Sequence, residues 1–212
     1  MPKSINKIIK ILISSDFILN SGWGLLAPVF AIFLVQKIAA GSPEEGAKIA
    51  GFASLIYWIM KSLLQIPIGQ YLDKKHGEKD DFFFMVFGTF LTGLTPFGYL
   101  ISSLPWHIYG CQIIQAIGMA MVIPSWSAIF TRHIDKGKEA FEWGIRSTSL
   151  GFGLGISGAI GGILAALFGF KIIFILVGIL NIISAFLLLL IHKEIAPRDE
   201  IFPFFPPFRP PF

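Results

Sequence analysis

Six apolar stretches, at about residues 8–35, 47–72, 82–103, 106–130, 140–168 and 170–191, take up most of the chain. A helix rises ~1.5 Å per residue, so roughly 20 apolar residues cross a hydrocarbon layer of about 30 Å. Every stretch reaches that length. In lipid the backbone must satisfy its own hydrogen bonds, so each stretch reads as a continuous helix. Turn and charged residues separate them: Gly41-Ser42-Pro43-Glu44-Glu45, GQYLDKKHGEKDD at 69–81, Ser102-Ser103-Leu104-Pro105, the segment from His133 to Lys138, and Phe168-Gly169-Phe170. Only 14% of the residues are charged, against about 25% in soluble domains. The expected fold is an all-α integral membrane unit of six transmembrane helices over residues 1–195. The Pro- and Phe-rich tail, 196–212, is expected to be disordered.

The N-terminus starts basic and turns apolar, as a secretory leader does. Its apolar run continues to Val35 without an A-x-A-like cleavage site, so it reads as a retained first span. Twelve Lys and Arg residues fall on the side of the two termini and the second and fourth loops, against Lys37, Lys48 and Lys171 on the other. This bias places both termini in the cytoplasm and the chain in the plasma (inner) membrane. The single Cys111 forms no intrachain disulfide. No HExxH, GxSxG, Walker A or His/Cys cluster is present, which argues against an enzyme and for no metal or cofactor. Nucleic acid is not an expected partner, since the net charge is only +4.

Polar residues inside spans are expensive and mark functional sites. The first span carries Asp16, Asn20 and Trp23, the second Ser54, Trp58, Lys61 and Gln65. The fourth carries Gln112, Gln115, Met119 and Trp126, and the fifth Glu142, Arg146, Ser149, Gly153 and Ser157. Spacings of three, four and seven put each set on one helix face. Asp16 and Arg146 lie at similar depth and are able to pair, while Glu142 is an alternative partner for Arg146 at i,i+4. Lys61 lies near the midplane with no acid in its own span. The third and sixth spans carry only Thr89, Thr92, Thr95, Asn181 and Ser184 as polar interior residues. Four helices are therefore expected to share a polar interior, with two facing lipid. In the fifth span GFGLGISGAIGG (151–162) repeats small-xxx-small spacing, which lets helices approach closely.

The loop after the second span resembles motif A of the major facilitator superfamily, G-x-x-x-D-[RK]-x-G-[RK]-[RK], with Gly69, Asp73 and Lys74 in register and Gly77 one position late. The first-span segment GWGLLAPVF is similar to the family's Gly-rich stretch ending in proline. The fourth-span motif R-x-x-Q-G-x-G has Gln112 in place of arginine, and the fifth-span antiporter motif lacks its proline. The resemblance implies an N-terminal six-helix half that binds lipid and a small-molecule substrate and works by alternating access, either as a homodimer or beside a second six-helix half. It also implies a cytoplasmic latch at Gly69, Asp73, Lys74 and Gly77. The candidate substrate or ion residues are Asp16, Asn20, Trp23, Trp58, Lys61, Gln65, Gln112, Gln115, Trp126 and Arg146. A non-transporting six-span scaffold or assembly factor is the competing reading.

Overall fold

The computed structural model describes residues 5–74 and 77–195; the tail and Lys75-His76 lie outside them. Among the described residues seven α-helices follow in order: α1 (Lys7–Leu26), α2 (Phe30–Phe33), α3 (Pro43–Leu72), α4 (Glu78–Leu100), α5 (Pro105–His133), α6 (Glu139–Phe168) and α7 (Phe170–Leu188). A π-helical turn, Leu34–Ile38, follows α2, and a 3-10 turn, Leu189–Glu194, follows α7. Six of these helical segments are long and apolar enough to cross a membrane.

Several boundaries depart from the sequence reading. The first span is interrupted: α1 stops at Leu26, and the chain turns through Ala27–Val29 before α2. Pro28 has no N–H for the carbonyl one turn back, so the ladder breaks there. Several helices also begin before their apolar runs. Ser42 caps α3 by accepting from the Glu45 N–H at 3.2 Å, with Pro43 opening the helix and Glu44 and Glu45 in its first turn. Such capping favours helix where hydropathy alone marks a loop. Gly77 (φ 74°) and Gly169 (φ 77°) precede α4 and α7 in a backbone region open chiefly to glycine.

The helices pack in the series α6–α1–α7–α4–α5–α3, so α3 and α6 stand at its two ends. Two apolar cores fill the bundle. One, near the termini, contains Ile9, Leu12, Met85, Ile129 and Leu188; the other, at the opposite end, contains Phe33, Leu34, Tyr99, Phe174 and Val177. A Lys7–Glu194 ion pair holds the chain ends together, and Asn6 Nδ2 donates to the His133 carbonyl at 3.4 Å.

The expected division into four polar helices and two lipid-facing ones needs correction. α4 and α7 bury Thr89, Thr92, Thr95, Asn181 and Ser184 inside the bundle. Ser184 meets Ser15 of α1, with hydroxyl oxygens 2.7 Å apart, while Thr89 donates to its own helix at the Met85 carbonyl (2.7 Å). Only one face of each helix is exposed, bearing Phe83, Phe87 and Leu94 on α4 and Ile179, Ile183 and Phe186 on α7. Small hydroxyl side chains bonded to backbone need no water, so they suit close helix contacts.

Contact between α1 and α6 depends on missing side chains. A Cβ added at Gly161 would lie 2.1 Å from the Leu25 carbonyl oxygen, and one at Gly24 would lie 2.0 Å from Ser157 Oγ. Because the first neighbour is backbone, Gly161→Ala forces the helices apart. It is expected to cost about 1–3 kcal/mol, read as a lower unfolding temperature in detergent. An unchanged temperature would mean that α1 and α6 are not held this closely.

Candidate functional site

α1 and α6 both start at the end of the bundle that holds the termini. Asp16 lies nine residues into one and Arg146 seven into the other, about 14 and 10 Å deep at the helical rise. Similar depth and glycine-mediated contact bring them together: Arg146 Nε donates to Asp16 Oδ2 at 2.9 Å. Asn20 Nδ2 donates to the other carboxylate oxygen at 2.8 Å. The guanidinium lies 4.2 Å from the Trp126 ring centroid and 5.5 Å from that of Trp143, and Trp126 stacks on Phe130. Arg146 does not take the alternative partner. Glu142 is buried and accepts instead from the Asp135 N–H at 3.3 Å. The pair is well satisfied yet still reachable, since the Arg146 side chain keeps 29% of its exposure.

Lys61 has a different setting. Its ammonium lies 3.7 Å from the Trp58 centroid and 5.4 Å from that of Tyr57. No described carboxylate lies within ion-pair distance of it. Aromatic faces attract a cation through their quadrupole but do not neutralise it. Lys61 is 8% exposed, whereas Trp58 is 58% exposed, so the ammonium rests on a ring at the edge of the uncovered side of α3. Gln65, half-buried, follows one turn later.

The other expected residues gather elsewhere. Gln112 Nε2 donates to the Tyr99 hydroxyl at 3.1 Å, and that hydroxyl donates to Gln115 Oε1 at 3.3 Å, so both glutamines turn to α4. Trp23 turns to α7: with its amide oriented to satisfy both neighbours, Asn181 accepts from Trp23 Nε1 at 3.2 Å and donates to the Leu19 carbonyl at 3.1 Å. The structure thus unites Asp16, Asn20, Trp126 and Arg146, sets Lys61 on Trp58 apart from them, and assigns Trp23, Gln112 and Gln115 to helix contacts.

In the motif loop, Gly69 lies in the last turns of α3, Asp73 ends it, Lys74 is exposed, and Gly77 opens α4. A buried ionic cluster next to it escaped the sequence reading. Arg132, near the end of α5, pairs with Asp81 and lies 3.4 Å from Glu78 Oε1, while His133 Nε2 is 3.0 Å from Glu78 Oε2. Glu78 and Asp81 are fully buried. The signal was acid at one helix start and base at the next helix end, each compensating a helix dipole, but their proximity needed the α4–α5 packing.

Comparison with known proteins then settles the family. The family model of the Major Facilitator Superfamily matches residues 12–211. The chain belongs to the Major Facilitator Superfamily. An uncharacterized MFS-type transporter of Methanocaldococcus jannaschii is 32% identical over 164 residues, covering 77% of this chain and 40% of that protein. The PmrA homolog of Lactococcus lactis, a multi-drug resistance efflux pump, is 24% identical over 184 residues, covering 85% of this chain and 43% of the pump. Among solved structures, the POT family transporter PepTSo superposes with a TM-score of 0.75 at 14% identity, over 91% of this chain and 39% of its own. This superfamily member therefore spans less than half the length of the relatives it matches. The relatives it matches are transporters or efflux pumps.

The geometry makes both ionic groups testable. In a double-mutant cycle on unfolding in detergent, Asp16→Asn and Arg146→Met are each expected to destabilise, and the double variant to lose less than their sum, with a coupling of about 1–3 kcal/mol. A coupling of zero would dissolve the pair. Arg132→Met takes the guanidinium away from two buried carboxylates and is expected to cost about 3–5 kcal/mol. Adding Glu78→Gln and Asp81→Asn to it should recover much of that loss in the same assay.

Proposed function

We propose that the chain forms one six-helix half of an alternating-access transporter for a small solute. In this reading the uncovered sides of α3 and α6 face a second half, which is either another copy of this chain or a C-terminal half of a longer protein. Both termini lie in the cytoplasm of the plasma membrane, as the distribution of Lys and Arg suggests.

The observation that carries the reading is a second glycine face on α6. Gly153, Ser157 and Gly161 are buried, and the two glycines pack on α1, whereas a methyl added at Gly144, Gly151, Gly155 or Gly162 would meet nothing within 4 Å. Spacings of seven, four and seven align these four on one stripe. Glycine is costly in a helix, by about 1 kcal/mol each relative to alanine, so an open stripe of four is best explained by a helix that approaches it in the assembled protein. The exposed Ser54, Trp58 and Ser62 on α3 support the same reading from the other flank. The relatives, more than twice as long as the matched region, agree with a missing second half.

Within that assembly the Asp16–Asn20–Arg146 group and Lys61 are the charges placed to meet solute, and Gly69, Asp73, Lys74 and Gly77 form a cytoplasmic latch. Because the L. lactis relative is a multi-drug resistance efflux pump, ethidium efflux from liposomes or from cells carrying the complete assembly is the first assay. Gly155→Leu is expected to leave the unfolding temperature of the chain unchanged or slightly raised, while cutting both association and efflux at least tenfold. Lys61→Met is expected to cut efflux without changing the amount of folded protein. If Gly155→Leu left association intact, the open stripe would be a lipid-facing surface and the half-transporter reading would fall. Association without movement of any solute would favour the scaffold.

A further inference from the structure

A cavity of about 1060 Å³ opens at the end of the bundle opposite the termini, away from the Asp16–Arg146 group. It exists because α1 breaks. The turn at Pro28 and the π-helical turn carry Phe33 inward and Lys37 to the rim, facing the start of α7.

The base is a closed aromatic layer in which Phe33, Phe174 and Tyr99 are almost fully buried, and the accessible apolar wall is Ile32, Phe168 and Phe170. The Phe33 ring meets Phe174 edge-on at 4.8 Å and Phe170 at 5.7 Å, and Phe174 meets Tyr99 at 5.5 Å. The rim is cationic. Among the described residues, Lys37 and Lys171 are the only charged side chains lining the cavity. Both are exposed, and no described carboxylate lies within ion-pair distance of either. The acids at this end are engaged elsewhere, Glu45 with Lys48 at 2.7 Å and Glu44 with Ser42 at 3.0 Å. α7 begins at this rim while α4 and α6 end at it, at Leu100 and Phe168, so the partial charges of the helix ends oppose one another and the two lysines set the sign.

An aromatic and apolar wall alone would admit an organic cation as readily as any apolar group. Two ammonium groups without a carboxylate partner make the rim positive and favour an anion over an organic cation. The wall in turn disfavours a small, strongly hydrated anion, which would have nothing to gain from it. We propose that this cavity is a binding site for an amphipathic anion, with a phosphate- or carboxylate-type head between Lys37 and Lys171 and an apolar tail along Ile32, Phe168 and Phe170. The head is supplied either by an anionic membrane lipid or by a soluble amphiphile. The charged and apolar groups come from this chain, and Gly162 of the open α6 stripe also lines the cavity, so in the proposed assembly the second half borders it.

The test uses the full chain with Lys37→Gln/Lys171→Gln, both surface positions, and Lys48→Gln as a control lysine at the same end. In the lipid arm, native mass spectrometry compares phosphatidylglycerol and phosphatidylcholine retained from mixed nanodiscs. In the soluble arm, unfolding in a neutral detergent is followed with octyl phosphate, and with inorganic phosphate at equal concentration. The expected result is at least tenfold preference for phosphatidylglycerol, or a rise in unfolding temperature with octyl phosphate that inorganic phosphate does not produce. Either effect should vanish in the double variant and persist in Lys48→Gln. Phosphatidylglycerol retention identifies the lipid source; stabilisation by octyl phosphate without it identifies the soluble one. The proposal is overturned if neither probe binds, if inorganic phosphate stabilises as much as octyl phosphate, or if the double variant binds like the wild type.

Discussion

No water stands ready to pair a polar group inside the hydrocarbon layer, and the arrangement of this bundle follows from that constraint. Most polar side chains at depth are handled in one of a few ways, while the buried Ser21 and Thr95 hydroxyls make no hydrogen bond among the described residues. Thr89 and Thr92 bond back to their own helix, Ser15 and Ser184 bond across two helices, and Asp16 receives donors at both oxygens from Arg146 and Asn20. Such contacts need helix axes close together, and the glycines of α6 and α1 supply that closeness. Packing and electrostatics are thus one problem here: the Asp16–Arg146 pair forms where Gly24, Gly153 and Gly161 let α1 and α6 touch.

The same constraint makes the unsatisfied groups informative. Lys61 has aromatic rings but no described carboxylate within reach, and α6 has a glycine stripe with nothing against it. Within a six-helix bundle neither feature is explained. Both lie on helices at the ends of the packing series, where no further described helix packs. A protein of about twice this length, as the relatives are, would have one.

Much of this was legible in the sequence. Hydropathy located the six spans because the length needed to cross lipid is set by a physical thickness. Depth arithmetic brought Asp16 level with Arg146 because a helix has a fixed rise. Periodicity tells which residues share a face, but not which neighbour that face meets. That is why Gln112 and Gln115 were expected in a shared polar interior and instead bond Tyr99, and why Trp23 was grouped with Asp16 although it turns to Asn181. The Arg132–Glu78–Asp81–His133 cluster joins residues more than fifty positions apart, which no local pattern reports. Pro28 was visible, but a hydropathy run hides a break that leaves the residues on both sides apolar. The cavity beside it could not be inferred from its lysines, which read as ordinary loop charge.

The central claim is that the uncovered side of α6 meets protein rather than lipid. Oxygen accessibility of spin labels in bilayers measures this directly, after Cys111→Ser removes the single native thiol. A label at Phe87, on the exposed side of α4, sets the lipid value. In the assembled protein a label replacing Phe152, an exposed and already bulky position of α6 beside Gly151 and Gly155, is expected to collide with oxygen several-fold less than the label at Phe87. Equal accessibility at the two positions would show that α6 faces lipid and would contradict the account.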